Sequence, residues 1–136
     1  MMYALEISSN LEEMERVEEL VETIAMELKI DGIPYSNLLV TLVEATTNAI
    51  IHGNKYDLSK IVKITAKIEE NLLLVSVQDE GLGFDALAIP DPTALVNRDK
   101  PHGRGIFLMR KLTDNIEFND NGRRIDMTFN FQRLKH

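Results

Sequence analysis

NLLVTLVEATTNAIIHGN, residues 37–54, is the stretch on which the reading of this chain turns. At about 100° per residue, Leu38, Leu39, Leu42, Val43, Ala45, Ala49 and Ile50 share one broad arc of a helix. Asn37, Thr41, Glu44, Asn48 and His52 share a narrow one. Such a helix buries one face and offers the other. Glu44 and Asn48 stand four residues apart, so a carboxylate and a carboxamide point the same way from successive turns. That pair suits a metal-nucleotide site.

The whole chain sets the frame around this helix. Its 136 residues are 44% hydrophobic and 27% charged, enough for one cored domain over residues 1–136 and too apolar for disorder. There is no cysteine, which excludes disulfides and thiolate metal sites. No basic region followed by an apolar run opens the chain, and no apolar run approaches the roughly 20 residues of a membrane span. A soluble cytoplasmic protein is expected. The net charge of −7 argues against nucleic-acid binding, which depends on neutralising phosphates. Arg98, Lys100, Arg104, Arg110 and Lys111 nonetheless gather late in the chain, a contrast that favours a small anionic ligand.

Working outward, Met2–Ser8 reads as a first strand. Asn10 and Glu13 have capping-box spacing, so a helix should begin at Leu11. Met14, Val17, Val21, Ile24 and Leu28 form its apolar seam, read as core packing, with a homodimer seam as the other use. Asp31-Gly32 closes that helix; Pro34 and Ser36 open the next, which Gly53 should end in a left-handed conformation. Ile61–Ile68 and Leu72–Gln78 form a hairpin. Asp79-Glu80-Gly81-Leu82-Gly83 follows directly, and then a lid-like stretch runs to Pro101. Gly103-Arg104-Gly105 opens a helix over Ile106–Leu112, a phosphate-binding device. Strands around 116–118 and 124–131 flank Asp120-Asn121-Gly122, with Ile125, Met127, Phe129 and Phe131 on one face. The order predicts an α+β fold: a two-layer sandwich whose mixed, mostly antiparallel sheet carries helices on one face.

Each motif is common by itself. Their order in one small domain is not. EATTNAIIHGN, VQDEGLGFD and HGRGIFLMRKLTD resemble the N box and two glycine boxes of the GHKL superfamily of ATPases, which share the Bergerat ATP-binding fold. With DPT in the lid, they look like its anti-sigma factor serine kinase branch. The resemblance covers residues 5–133.

That resemblance implies ATP and Mg²⁺ as cofactors. Asn48 would ligate the metal, and Glu44 would act as base or orienting group for the attacking hydroxyl. Asp79 would accept a hydrogen bond from the adenine amino group, with Gly81 and Gly83 letting backbone approach the nucleotide. Gly103 and Gly105 would present N–H groups to the phosphates, with Arg104 as a charge partner. The implied activity is serine/threonine phosphorylation of a small anti-sigma-factor antagonist by a protein that also binds a sigma factor. ATP or ADP would bias which partner is held. A nucleotide-gated binding switch and a plain ATPase remain as alternatives. His52 is read as a capping residue or a neighbour of the metal, not a phosphoacceptor, and His102 as a lid residue.

Overall fold

The computed structural model describes residues 1–82 and 101–131, and of 101–104 the backbone alone. Five strands, β1 (Met2–Ser8), β2 (Ile61–Glu69), β3 (Leu72–Gln78), β4 (Asn115–Asn119) and β5 (Arg124–Asn130), form one sheet in the order β1-β2-β3-β5-β4. All four ladders are antiparallel, so the parallel component of a mixed sheet has no counterpart among the described residues. Strand alternation divides the sheet into two unlike faces. Ile7, Val62, Ile64, Val75, Val77, Ile125, Met127 and Phe129 are buried on one. Lys63, Thr65, Ser76, Gln78, Arg124 and Asp126 line an open polar groove on the other.

Three helices, α1 (Met14–Leu28), α2 (Gly32–Asn48) and α3 (Pro101–Leu112), complete the described fold. The α1 seam is core: Val17, Val21, Ile24 and Leu28 are buried, and Met14 packs against them. Its start differs from expectation. Leu11–Glu13 form a 3₁₀ turn capped by Asn10, whose side chain accepts from the Glu12 N–H at 3.0 Å. The Asn10 N–H already donates to the Ser8 carbonyl, so Glu13 completes no capping box and pairs with Arg16 at 2.9 Å. Lys29, at φ 57, takes the left-handed position that ends α1, and its successor Ile30 donates to the Ala25 carbonyl. Gly32 therefore opens α2 instead of closing α1, and Pro34 falls in the first turn, where its missing N–H costs nothing.

Leu38, Leu42 and Ala45 of α2, and Ala49 just beyond its end, join the core as their spacing predicts. The polar arc is less open than expected. Thr41 is fully buried and satisfies its hydroxyl by donating to the Asn37 carbonyl at 2.6 Å. α3 packs across α2 and begins at Pro101, so Gly103 and Gly105 lie inside its first turns and not in a loop before it. The last hairpin turns through Asp120, Asn121 and Gly122, at φ 53, 56 and 84, left-handed values that Asp, Asn and Gly tolerate best.

Among the described residues, no helix is long and apolar enough to cross a membrane.

Leu42 is fully buried between helix and sheet, whereas Val40, on the same helix, is 39% exposed. Leu42→Ala is expected to lower stability by about 2–5 kcal/mol and Val40→Ala by under about 0.5 kcal/mol, read from urea midpoints. Equal losses would place the core elsewhere.

Candidate functional site

The site is assembled where α2 ends. Beyond Asn48 the helix widens into a π turn over Ala49–Gly53, in which the Asn54 N–H reaches five residues back to the Ala49 carbonyl at 2.8 Å. Such turns commonly mark functional sites. This one brings Gly53 against the exit of β3. Gly53 does not take the left-handed conformation foreseen for it; Lys55 and Tyr56, at φ 51 and 60, do. Space is what requires glycine here. A Cβ on Gly53 would overlap the Asp79 carboxylate, and one on Gly81 would overlap the Gly53 carbonyl. Gly81 thus lets backbone approach backbone.

Asp79 is only 8% exposed. Its Oδ1 accepts from the Gly81 N–H at 2.8 Å, and its own N–H donates to the Arg123 carbonyl at 2.8 Å. Burial pushes the carboxyl above the usual carboxylate range, opposed by the Gly81 N–H and the positive charge of Arg123. Beside it opens a cavity of about 160 Å³ lined by Ala45, Asn48, Ala49, Val77, Ile106 and Ile125, with His52, Gly53, Asp79 and Gly122 as the remaining walls. Pockets for whole drug-sized ligands run to roughly 300–1,000 Å³. This one suits a planar ring, with apolar walls for its faces and the Asp79 carboxylate for a donor on its edge.

A second contact closes the other end. Gly105 sits directly on the polar arc of α2: a Cβ there would come 2.8 Å from Glu44 Oε2 and 3.0 Å from Asn48 Nδ2. Glycine at this position lets the start of α3 settle over both side chains. Asn48 Nδ2 is buried with no hydrogen-bond partner. The carboxamide can turn its oxygen to that point without breaking a bond, so the residue fits an oxygen ligand for a hard cation. No group of three or more His, Asp or Glu side chains surrounds it among the described residues. A cation here would take its other oxygens from a bound ligand and water, the usual habit of Mg²⁺ with phosphates.

Asn48 and Asp79 therefore share one cavity, and Glu44, Asn48 and Gly105 share one contact. Glu44 stands outside the cavity wall. Gly83, the DPT segment, Arg98, Lys100 and the side chains of His102 and Arg104 lie outside what is described. Two members of the basic group are occupied elsewhere: Arg110 lies 5.5 Å over the Phe118 ring and Lys111 5.0 Å over that of Phe107.

Several residues that sequence reasoning missed hold the site together. Asn54, 1% exposed, donates to the Ser9 hydroxyl and the Ile61 carbonyl and accepts from the Glu80 N–H at 2.8 Å. Glu80 in turn accepts from the Ile61 N–H at 2.8 Å. These bonds tie the end of β1, the start of β2 and the exit of β3 to the π turn. Arg123 donates from Nε to the Gly81 carbonyl at 2.7 Å and from a terminal nitrogen to that of Leu82 at 3.2 Å. Ser9, Asn54, Glu80 and Arg123 lie too far apart in sequence for any spacing signal to have joined them.

A one-sided antiparallel sheet, with a ring-sized cleft between a helix end and a buried strand-exit carboxylate, marks an α+β domain built to take a small ligand. The chain matches the family model of the histidine kinase-like ATPase domain over residues 7–129 and belongs to that family. It is 34% identical over 86 residues to a protein named anti-sigma F factor from Clostridium perfringens, covering 60% of each chain. It is 33% identical over 109 residues to the serine-protein kinase RsbW of Bacillus subtilis, covering 74% of this chain and 68% of that one. A Clostridium acetobutylicum anti-sigma F factor is 31% identical over 99 residues, covering 71% of this chain and 68% of its own.

The burial of Asp79 has a measurable consequence. Because its folded pKa is raised, ionising it costs stability: the cost is absent below the unfolded value and complete above the folded one. Asp79→Asn is therefore expected to raise the urea midpoint of the nucleotide-free protein at pH 8, with a gain that shrinks as pH falls through the raised carboxylate range. A variant no more stable than the parent at pH 8 would show that the carboxylate is not desolvated.

Proposed function

We propose that this protein is an anti-sigma regulator with ATP- and Mg²⁺-dependent serine/threonine protein kinase activity toward a small antagonist protein. One observation carries the reading: Asn48 lines the same cavity as the buried Asp79 and also lies beneath Gly105 beside Glu44, so a base pocket and a phosphate end adjoin. The family assignment supports nucleotide binding. The names of the relatives support the kinase and anti-sigma roles, on matches that span 60–68% of those three relatives' lengths.

In this reading adenine enters the cavity and donates its amino group to Asp79. The free backbone N–H groups in the first turn of α3, that of Gly103 among them, meet the phosphates at the positive end of the helix, with Gly105 seating that helix over Glu44 and Asn48 and Arg104 as charge partner. Gly83 lets the chain run close to the nucleotide. Bound through Asn48, Mg²⁺ supplies charge neutralisation at the phosphates. Glu44 orients a substrate serine and takes its proton as the serine oxygen bonds to the γ-phosphorus and the bond to the departing ADP oxygen breaks. The sigma factor and the antagonist compete for the protein, and ATP or ADP in the site biases which is held. A nucleotide-gated switch or plain ATPase would keep all of this except transfer to a protein.

Affinity capture from native cells with ATP and then ADP, followed by mass spectrometry, tests the choice. A phosphoserine or phosphothreonine on a captured small protein is expected with ATP alone; nucleotide-dependent capture without it indicates the switch. With that substrate in hand, Glu44→Gln should retain ATP affinity in calorimetry while phosphotransfer falls roughly 10²- to 10⁴-fold. Undiminished transfer would remove Glu44 from the chemistry. Asn48→Ala should abolish the Mg²⁺-dependence of binding, and persistence of that dependence would remove Asn48 as the ligand.

A further inference from the structure

The arginine behind the Asp79 turn is used by nothing in the reading above. Arg123 follows the left-handed Gly122, at φ 84, and ends the turn immediately before β5, which neighbours β3 in the sheet. Its side chain is 29% exposed. Nε donates to the Gly81 carbonyl at 2.7 Å and Nη2 to the Leu82 carbonyl at 3.2 Å, while Nη1 reaches the Asp120 carbonyl and carboxylate at 3.3 and 3.4 Å. Its carbonyl accepts from the Asp79 N–H at 2.8 Å. One residue therefore grips both ends of the turn: Asp79 by its backbone, Gly81 and Leu82 by its guanidinium.

We propose that Arg123 is a positioning residue for base recognition, holding the 79–82 turn in the one shape that aims the Asp79 carboxylate into the cavity. The geometry leaves the turn few other restraints. Gly81 lies against the Gly53 carbonyl and donates its N–H to Asp79 Oδ1 at 2.8 Å, which fixes the turn to itself, while Leu82, 82% exposed, anchors nothing by packing. Gly53 blocks the turn from one side by backbone contact but does not pull on it. The Asn54 and Glu80 bonds hold the residue between. A planar guanidinium can satisfy two successive carbonyls at once, which a lysine ammonium on a flexible stem does less well. The same positive charge lies near Asp79 and favours its ionised, accepting form. Arg123 touches neither base nor phosphate in this scheme; it acts through Asp79.

The inference rests on Asp79 being the base-recognising group, and the test separates the two. ATP and GTP affinities are measured by calorimetry for the parent protein, Arg123→Ala, Arg123→Lys and Arg124→Ala. Arg124 is the neighbouring arginine, bonded to Asp126 on the open face of the sheet and remote from the cavity. The parent should prefer ATP. Losing charge-assisted bonds to the turn should weaken ATP binding roughly 10- to 100-fold in Arg123→Ala. GTP binding should change much less, so that discrimination collapses. Arg123→Lys should recover part of the preference, and Arg124→Ala should match the parent. Combined with Asp79→Asn, Arg123→Ala should add little further loss, because both act on one contact. A merely structural arginine would instead weaken both nucleotides alike, and this would overturn the proposal, as would an unchanged ATP preference in Arg123→Ala. If that variant does not fold, Arg123→Lys decides by the same ratio. A parent that binds neither nucleotide, or both equally, overturns the base-recognition reading of Asp79 instead.

Discussion

A carboxylate withdrawn from water is unstable unless its surroundings answer its charge, and that constraint organises this domain around Asp79. The residue is almost covered, because a π turn on one side and a strand exit on the other close on it with no side chain between. The closeness is possible because Gly53 and Gly81 have no Cβ to keep the backbones apart. What answers the charge is modest: one N–H from Gly81 and the nearby Arg123. The balance still leaves the carboxyl with a raised pKa. The free protein thus holds an acceptor with unmet capacity at the edge of an apolar slot, a tension that a ligand with a matching donor would relieve.

The rest of the fold can be read as support for that arrangement. The sheet buries one face only, and the helices on that face form the roof of the cleft. α2 contributes apolar residues to the core from one arc and Asn48 to the cavity from another, so core packing fixes where that carboxamide sits. The buried Asn54 makes the same link in polar form, tying the π turn to Ser9, Ile61 and Glu80 across three separate segments. Stability and site geometry are therefore coupled throughout.

On the other side of the sheet, Asp126 shows the opposite treatment of a carboxylate. Partial burial would raise its pKa, yet hydrogen bonds from Ser76, Asn119 and Arg124 more than offset this and hold it below the usual range. The two aspartates occupy adjoining strands or strand ends. One is bonded by three side chains and the other by a single backbone N–H, and their pKa values move in opposite directions accordingly.

Periodicity and turn chemistry were legible in the residues themselves. The alternation of Ile125, Met127, Phe129 and Phe131, the seam of α1 and most of the apolar arc of α2 became core, with Val43 left half-buried at its margin, because which side of a strand or helix is apolar is largely a local property of the chain. The order of the N box and glycine boxes likewise announced the family. Local signals misjudged junctions: Lys29 in place of Gly32 at the end of α1, a 3₁₀ turn at Leu11, and a Gly53 needed for space and not for its φ. Each depended on what lay across the gap. The grip of Arg123 on the Asp79 turn, the Ser9–Asn54–Glu80 knot and the seating of Gly105 over Glu44 and Asn48 were decided by tertiary structure alone. They join residues from 26 to 61 positions apart, and no pattern within a strand or helix encodes such a distance. The sequence by itself determined which faces are buried and which motifs mark the family; the packed fold decided how close those motifs come, because closeness between remote segments is a property of the fold and not of the chain.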